Sequence, residues 1–332
     1  MSVTTKYISE QIFAINEHND VLFEQLALEL FQYHAKKNEI YRSFIGHLGV
    51  DPSLVLKLSE IPFMPISFFK RNTIGVFNAP PEAVFLSSGT TGMERSQHHV
   101  SSLAVYDESL FTAFNQFFGN VQDYCILALL PSYLERSNSS LVYMTQKLTK
   151  KSGHADGGFY LDRLTSLSKV LKKNSEKGVK TLLIGVTFAL LELAEKHPQQ
   201  LHNCIVMDTG GMKGKRKEIP REEVHYELKK AFGLDEIASE YGMTELLSQA
   251  YSMGNGIFKT PPWMRVYVRE TTDPLAVSSR GKGVINVIDL ANIHSCPFIA
   301  TQDLGHIYQD YSFEVLGRMD DSDVRGCNLM VG

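Results

Sequence analysis

The chain has 332 residues, of which 43% are hydrophobic and 21% are charged, and its formal net charge is −4. This length allows a large hydrophobic core in one or two domains, and the balanced charge disfavours nucleic acid as a partner. No apolar run approaches the roughly eighteen residues of a membrane span, and the N-terminal sequence lacks the pattern of a signal peptide. We therefore expect a cytoplasmic globular protein.

The first part of the chain predicts helices followed by a buried strand. Residues 9–37 carry apolar side chains near a 3.6-residue period, with a break expected around Asn19. Residues 101–118 show the same period, and residues 124–130 form the continuous apolar run of a strand buried on both faces. Because such a strand must be covered, we expect helices packed on a sheet.

Helices and strands then alternate through the middle of the chain. The periodicity predicts helices at 161–175, 188–195 and 221–232, and strands at 180–186, 204–208 and 236–240. This alternation is typical of βαβ units and of a largely parallel sheet. We predict an α/β core over residues 1–255.

Beyond Pro261 the sequence becomes rich in strand-like segments and lacks long helices. The predicted strands are 263–270, 284–290, 298–301, 305–309 and 312–315. We interpret residues 256–316 as a small β-rich lobe of the same domain, and residues 317–332 as a short C-terminal tail.

The four cysteines are Cys125, Cys204, Cys296 and Cys327. They are widely scattered and have no CxxC spacing, so we expect reduced thiols and no zinc or disulfide framework. Cys125 and Cys204 lie in apolar runs, where a cysteine behaves as a small hydrophobe. Cys327 lies in the tail near Arg325, whose charge would favour the thiolate.

One short loop has the composition of a phosphate site. Residues 87–92 read Ser-Ser-Gly-Thr-Thr-Gly and directly follow the apolar run at 83–85. Glycine lets backbone N–H groups approach an anion closely, and the hydroxyls donate further hydrogen bonds. By itself the loop is equally consistent with an ordinary turn, because such clusters are common after strands.

Three further segments carry groups that an ATP site would use. The first runs from Asp208 to Gly214 after a predicted strand, at the kind of edge where open α/β sheets bind ligands. The second, Tyr241 to Glu245, contains a ring able to stack on a purine, a threonine hydroxyl and a carboxylate suited to Mg²⁺. The third segment runs from Thr301 to Asp303, and the Asp303 carboxylate can accept two hydrogen bonds from a ribose diol.

These motifs follow one order over residues 87–321: Ser-Ser-Gly-Thr-Thr-Gly, Gly-Gly, Tyr-Gly-Met-Thr-Glu, Thr-x-Asp and Gly-Arg-x-Asp-Asp. In that order they resemble the adenylate-forming superfamily of acyl-CoA synthetases, peptide-synthetase adenylation domains and luciferases. A generic α/β domain seldom produces an ordered set of this kind. The resemblance implies the large N-terminal domain of those enzymes, with βαβ sheets covered by helices plus a β-rich lobe.

The resemblance also implies ATP and Mg²⁺ as cofactors and a role for each motif residue. The residues that would close over the β- and γ-phosphates are Ser87, Ser88, Gly89, Thr90, Thr91 and Gly92. Those that would border or stack on the adenine are Gly210, Gly211, Met212, Tyr241 and Gly242. Thr244 would contact the α-phosphate and Glu245 the magnesium ion, and Asp303, assisted by Arg318, would hold the ribose hydroxyls. The implied chemistry is attack of a carboxylate on the α-phosphorus, which gives an acyl-adenylate and pyrophosphate.

The chain departs from the superfamily at two places. The phosphate loop usually continues with Pro-Lys-Gly, whereas here it continues with Met93-Glu94-Arg95-Ser96, so Arg95 would substitute for the lysine. Most relatives also continue into a mobile C-terminal domain whose lysine assists adenylation, and we expect that domain to be lacking after Gly332. Which group replaces its lysine stays open.

The end of the chain is similar to the acyl-protein synthetase family of bacterial bioluminescence, the fatty-acid-activating part of the fatty acid reductase complex. The similarity runs from Gly317 to Cys327. In that family a cysteine near the C-terminus takes the acyl group as a thioester and passes it to a reductase. The resemblance therefore implies an AMP-forming acid–thiol ligase with Cys327 as acceptor, and an acyl reductase or acyltransferase as protein partner.

Other interpretations of the same residues stay open. The acceptor could be coenzyme A or a carrier protein, or the chain could be a non-catalytic nucleotide-binding subunit. Cys327 could be a plain tail cysteine, and Tyr241 and Thr244 could simply begin a helix. His98 and His99 are adjacent and cannot form the i,i+4 pair of a zinc site, so a hydrogen-bonded polar pair is favoured. The acid, fatty or aryl, is not readable because the 19 Phe and 14 Tyr also build cores.

Overall fold

The structure is a computed structural model that describes residues 3–16, 19–88, 94–130, 138–160, 163–210 and 219–319. Its helices are α1 (Val3–Ile12), α2 (Asp20–Lys37), α3 (Glu39–His47), α4 (Phe68–Arg71), α5 (Leu103–Phe118), α6 (Ser140–Ser152), α7 (Leu164–Glu176), α8 (Thr187–Lys196) and α9 (Arg221–Phe232). Short 3₁₀ turns lie at Pro52–Leu54, Leu58–Glu60 and Val121–Asp123.

The strands complete the fold and are listed here in chain order. They are β1 (Met64–Pro65), β2 (Ala83–Leu86), β3 (Gln97–Val100), β4 (Cys125–Leu129), β5 (Gly158–Phe159), β6 (Thr181–Val186), β7 (Cys204–Thr209), β8 (Ala238–Tyr241), β9 (Ala250–Ser252), β10 (Ile257–Phe258), β11 (Met264–Arg269), β12 (Val277–Ser278), β13 (Gly281–Asp289), β14 (Phe298–Ile307) and β15 (Phe313–Arg318).

Residue contacts group the chain into two units. The terminal unit combines Met1–Asn78 with Pro262–Gly332, and the central unit is Ala79–Pro261. This grouping differs from the predicted continuous core over 1–255, because the N-terminal helices pack with the C-terminal strands. The rings of Phe31 on α2 and Tyr41 on α3 lie 6.2 and 6.0 Å from the ring of Phe298 on β14. Periodicity shows that a helix face is buried but not which segment covers it.

The predicted break near Asn19 is confirmed. Helix α1 ends at Ile12, and the side-chain oxygen of Asn19 accepts a hydrogen bond from the backbone N–H of Leu22, 3.1 Å away, in the first turn of α2. Asparagine is a favoured N-cap because its carbonyl satisfies one of the unpaired N–H groups of the first turn. Helices α3, α4 and α6 were not predicted. The buried side chains of α6 are Val142, Met144, Thr145 and Leu148.

The central unit contains the predicted parallel sheet. Its strand order is β5-β4-β6-β7-β8-β9, and every pair from β5 to β8 is parallel. Every residue of β4 and β6 is buried, which explains the continuous apolar runs in the sequence. Val186, Thr209 and Glu240 lie side by side at the carboxyl ends of β6, β7 and β8. This edge positions the central part of the candidate site.

The terminal unit contains an antiparallel sheet in the order β15-β14-β13-β11-β12, and β1 pairs in parallel with β14. The β-rich character predicted for this region is confirmed. The two strands predicted at 298–301 and 305–309 are one strand, β14, in which the pairing with β13 is irregular between Val284 and Asn286. The polar sequence from Thr301 to Asp303 interrupts the apolar pattern at that irregularity.

Candidate functional site

Strands β2 and β3 of the central unit flank the phosphate-type loop in the chain. Strands β2 and β3 pair antiparallel, and the loop begins where β2 ends. The N–H of Ser87 donates to the carbonyl of Ser96 at 3.0 Å, and the N–H of Ser96 donates to Oγ of Ser87 at 2.9 Å. These two bonds close the base of the loop. A hydroxyl that accepts one bond still has its own proton to donate, so Ser87 can also bind an anion.

Only part of the predicted loop lies in the described chain. Ser88 is exposed and Arg95 is half-buried on the opposite side of the loop, just before β3. Among the other predicted site residues, those outside the described ranges are Gly89, Thr90, Thr91, Gly92, Gly211, Met212 and Cys327.

The Tyr-Gly-Met-Thr-Glu motif follows the carboxyl end of β8. Tyr241 ends the strand, and the N–H of Leu246 donates to the carbonyl of Met243 at 3.1 Å, which turns the chain at this point. Thr244 is half-buried, and Glu245 is only 3% exposed. The alternative in which Tyr241 and Thr244 begin a helix does not hold, because no helix follows β8 in this part of the chain.

A buried histidine connects the pair of strands β2 and β3 with this motif. His98 on β3 is 1% exposed, and its Nδ1 lies 2.8 Å from the carbonyl oxygen of Thr244. Burial lowers the pKa of His98 to about 4, so the ring is neutral at pH 7. Because a carbonyl only accepts, Nδ1 carries the proton and donates. For His98 this bond agrees with the favoured interpretation of His98 and His99 as a hydrogen-bonded pair, but the partner, far along the chain, was not foreseeable.

A hydrogen bond between Thr209 and Glu240 joins the carboxyl ends of β7 and β8, the strands that Gly210 and Gly242 follow in the chain. The Thr209 hydroxyl of β7 donates to Oε2 of Glu240 on β8 at 2.6 Å. A Cβ on Gly242 would lie 2.3 Å from Oε1 of the same carboxylate, which Thr209 holds in place. Gly210 has a φ of +77°, a left-handed conformation that favours glycine. Both predicted glycines therefore have a steric reason to be glycine.

Asp208 is a second carboxylate at the same sheet edge. The hydroxyl of Thr187, the first residue of α8, donates to Oδ1 of Asp208 at 2.6 Å. Burial raises the pKa of Asp208 to about 6, although the Thr187 bond and the positive charge of Arg221 act in the opposite direction. Asp208 was part of the motif that the sequence indicated, but Thr187 was missed because it lies on another strand–helix unit.

The ring of Tyr241 is held in place by neighbouring side chains. Its centroid lies 6.0 Å from that of Phe258 in an edge-to-face contact, and the residue is 9% exposed. The guanidinium of Arg221 lies 5.2 Å from the centroid of the Phe258 ring on β10. Such a cation–π contact adds rigidity to the aromatic pair. Stacking of Tyr241 on adenine stays a prediction.

In the terminal unit, the structure brings Asp303 and Arg318 together. They face each other across β14 and β15, at Cα positions that are register partners. The Arg318 guanidinium donates to the side-chain oxygen of Gln302 at 3.3 Å, and the N–H of Met319 donates to the Gln302 carbonyl at 2.8 Å. The N–H of Asp303 donates to the Thr301 hydroxyl at 3.1 Å. The Asp303 carboxylate is therefore presented from a segment whose backbone is held on two sides.

Neither a metal cluster nor a membrane helix is present in the described chain. No group of three or more His, Cys, Asp and Glu side chains is placed to hold a metal ion within those ranges. None of the helices there combines the length and apolar character that crossing a bilayer needs.

Solved structures with the same fold include a CoA ligase in its postadenylation state and an ATP-bound protein. The chain matches 2-hydroxyisobutyryl-CoA ligase in its postadenylation state with a TM-score of 0.67 and 12% identity, over 94% of this chain and 70% of that one. It matches ATP-bound MatB from Rhodopseudomonas palustris with a TM-score of 0.54 and 16% identity, over 71% of this chain. The chain spans about half, 48%, of the MatB chain. These matches confirm the predicted fold class.

Sequence comparison extends the similarity to named relatives. A long-chain-fatty-acid–luciferin-component ligase from Aliivibrio fischeri is 24% identical over 379 residues, which covers 99% of this chain and 97% of the relative. The ligase of the same name from Vibrio harveyi is 23% identical over 375 residues, with 99% and 96% coverage. The profile of the family described as acyl-protein synthetase, LuxE, matches residues 6–332. The chain therefore belongs to the LuxE family of acyl-protein synthetases.

Proposed function

We propose that this chain activates a long-chain fatty acid with ATP and transfers the acyl group to the thiol of Cys327. Membership in the family makes the chain a ligase that acylates a protein. The relatives named as long-chain fatty acid ligases support the choice of acid. The observation that carries the proposal is the hydrogen bond from His98 to Thr244, because it joins two loops that an ATP triphosphate would have to contact together.

Within the central unit, we assign the triphosphate to the loop between β2 and β3 and the loop after β8. Ser87 and its neighbours through Gly92 would donate to the β- and γ-phosphates, and Arg95 would supply the positive charge of the usual lysine. The Thr244 hydroxyl would donate a hydrogen bond to the α-phosphate. Tyr241 and the loop from Gly210 would contact the adenine. Positioning and neutralisation of charge dominate a reaction in which nucleophile and target are both anionic.

In the terminal unit, we assign Asp303 and Arg318 to the ribose. A carboxylate accepts hydrogen bonds from both hydroxyls of a ribose diol, and the register pairing places the guanidinium of Arg318 on the neighbouring strand.

The residues around Glu245 fit a nucleotide-bound magnesium ion. Mg²⁺ in such sites takes most of its ligands from phosphate oxygens and water, and only one or two carboxylates from the protein. Glu245 offers one carboxylate that is 3% exposed, at the end of the loop assigned to the α-phosphate. When bound, the ion would neutralise charge on the phosphates.

The proposed reaction has two steps. A carboxylate oxygen of the acid forms a bond to the α-phosphorus, and the bond from that phosphorus to pyrophosphate breaks, with pyrophosphate keeping the electron pair. The thiolate of Cys327 then attacks the acyl carbon, and the bond between that carbon and the AMP oxygen breaks. The products are a thioester and AMP, and the thiol proton goes to solvent.

The chemistry of the other cysteines supports Cys327 as acceptor. Burial raises the pKa of Cys125 to about 11 and those of Cys204 and Cys296 to about 12. A thiol with such a pKa is protonated at pH 7, and the thiolate is the nucleophile in acyl transfer. A positive neighbour such as Arg325 would favour the thiolate at Cys327.

Two measurements test the proposal. The wild-type chain should exchange labelled pyrophosphate into ATP only when a long-chain fatty acid is added. With labelled acid and ATP, it should then acquire a protein label that hydroxylamine removes. Cys327→Ser should keep the exchange and lose the label, whereas the control Cys204→Ser should keep both.

The outcomes separate the alternatives. Exchange without protein labelling, followed by product formation when coenzyme A is added, would favour an acyl-CoA ligase. Absence of exchange with any carboxylic acid would leave a nucleotide-binding subunit. Label that persists in Cys327→Ser would reject Cys327 as acceptor. We propose an acyl reductase or acyltransferase as the partner that takes the acyl group from the labelled protein.

A further inference from the structure

The Thr301-Gln302-Asp303 segment forms a bulge in the sheet of the terminal unit. On β13, Val284 pairs with Leu304 and Asn286 pairs with Ala300. Ile285 alone therefore opposes three residues of β14. Extra residues in one strand bend it locally and redirect its side chains, and such bulges are frequent beside active sites. The direction of the Asp303 side chain thus depends on how this bulge is held.

Arg269, the last residue of β11, holds both strands at the bulge. Its Nη1 donates to the carbonyl of Ile285 at 3.1 Å and to the side-chain oxygen of Asn286 at 2.5 Å. Its Nη2 donates to the carbonyl of Thr301 at 2.7 Å. One planar guanidinium therefore bonds to the residue opposite the bulge and to the first residue of the bulge. A lysine ammonium lacks this fork of donors.

A second set of bonds continues from Thr301 to Asp303. The Thr301 hydroxyl donates to the same Ile285 carbonyl at 2.8 Å and accepts the N–H of Asp303 at 3.1 Å. The carbonyl of Ile285 is thus the common acceptor for Arg269 and Thr301. These contacts link the guanidinium to the backbone of Asp303 through a single intervening residue.

The environment of Arg269 is unfavourable for stability alone. Its guanidinium bonds to neutral oxygens, and no ion pair joins it to a carboxylate within the described ranges. Burial lowers the pKa of Arg269 to about 10, which reflects the cost of a charge held away from water. Nδ2 of Asn286, which is fully buried, likewise has no hydrogen-bond partner among the described residues. An apolar side chain of similar volume would remove this cost.

We infer that Arg269 is a positioning residue for nucleotide binding: it fixes the bulge through Ile285 and Thr301 and thereby aims the Asp303 carboxylate at the ribose. The inference rests on the proposed function, because it takes the ribose hydroxyls as the ligand of Asp303. Arg269 itself need not touch the nucleotide. Its effect is confined to the hydroxyl-dependent part of the binding.

Comparing the affinity for ATP with the affinity for 2′,3′-dideoxy-ATP isolates the contribution of the ribose hydroxyls to binding. We expect the wild-type chain to bind ATP more tightly in calorimetric titrations, by about 10-fold or more, because hydrogen bonds to a charged group are lost with the hydroxyls. Asp303→Asn and Arg269→Met should both reduce this preference to about 3-fold or less. The double variant should show no further reduction, because both changes remove the same contact.

Variants at Thr301 and Arg265 sharpen the test. Thr301→Val should lose the preference for ATP over the dideoxy analogue, and Thr301→Ser should keep it, since only serine retains the hydroxyl. If Arg269→Met does not fold, the comparison of these two variants still tests the inference. Arg265→Met is the matched control, because Arg265 lies on the same strand but pairs with Asp20. It should keep the wild-type preference.

Two outcomes would overturn the inference in different ways. If Arg269→Met and Thr301→Val weaken both nucleotides equally and leave the preference intact, Arg269 has a structural role only, and the ribose assignment of Asp303 survives. If the wild-type chain binds ATP and the dideoxy analogue equally, the ribose assignment itself fails and the inference fails with it.

Discussion

The imidazole of His98 and the carbonyl of Thr244 form a 2.8 Å hydrogen bond between residues 146 positions apart in the chain. The histidine lies on β3, the strand that follows the phosphate-type loop in the chain, and the carbonyl lies in the loop between β8 and β9 of the central sheet. The neutral tautomer with its proton on Nδ1 is the only uncharged form that can donate to this carbonyl. This bond makes the relative position of two motif loops depend on one side chain.

Replacing His98 tests that dependence. His98→Leu removes the donor to the partly buried carbonyl of Thr244, so we expect a loss of about 1–2 kcal/mol of unfolding free energy. Fatty-acid-dependent pyrophosphate exchange should fall about 10- to 100-fold, because small displacements of catalytic groups are costly. His98→Asn can donate from Nδ2 and should retain most of the exchange. Unchanged exchange in a folded His98→Leu variant would show that the contact does not position the loops.

Acid should destabilise the protein through its buried histidines. Burial lowers the pKa of His34, as of His98, to about 4, from 6.5 in the unfolded chain. Between pH 6.5 and pH 4 each of these histidines is protonated in the unfolded chain but neutral in the folded chain. The free energy of unfolding therefore falls as the pH decreases from about 6.5 towards 4. At pH 5 each such histidine costs about 2 kcal/mol of unfolding free energy.

Urea denaturation at pH 7.5 and pH 5.0 measures this effect. In His34→Gln the decline between the two pH values should be smaller than in the wild type by about 2 kcal/mol. His47→Gln, at an exposed histidine, should leave the decline unchanged. An equal decline in all three proteins would mean that His34 is already protonated in the folded state at pH 5.

Asp208 should have the opposite pH dependence. Its pKa is raised to about 6 from 3.8, so the folded chain holds the proton more tightly, and stability is lost as the pH rises from about 4 through 6. Asp208→Asn keeps an acceptor for Thr187 and removes the buried charge. We expect it to raise the free energy of unfolding at pH 7.5 by about 1–3 kcal/mol, with a smaller gain at pH 5. A variant less stable than the wild type at pH 7.5 would contradict this account.

Gly242 should tolerate no side chain while Thr209 holds Glu240. In Gly242→Ala the new Cβ would approach the Glu240 carboxylate to 2.3 Å, so we expect a loss of about 1–3 kcal/mol in thermal unfolding and weaker ATP binding. The double variant with Thr209→Val frees the carboxylate and should recover part of the loss. Gly46→Ala is the control, because a Cβ at that helical position meets nothing within 4 Å beyond its chain neighbours and the backbone of its own helix. Additive losses in the double variant would show that the clash is not the cause.

Local patterns predicted much of the fold. The break at Asn19, the buried strands at 124–130 and 180–186 and the helix at 221–232 all follow from side-chain period and capping chemistry, which act over a few residues. The order of the motifs from Ser87 to Asp321 indicated the adenylate-forming superfamily, because each motif carries chemistry that a generic turn does not need. The segment from Gly317 to Cys327 indicated the acyl-protein synthetase family, which the family match confirms.

The sequence by itself determined which residues carry chemistry, which strands are buried and which superfamily the chain resembles, because these depend on residue type and short spacing. Only the tertiary structure decided that α2 and α3 pack with β14, that His98 bonds to Thr244, and that Arg269 holds the bulge before Asp303. Those relationships join segments far apart in the chain. Their register and partners are chosen by the packing of whole elements, and no local period records that choice.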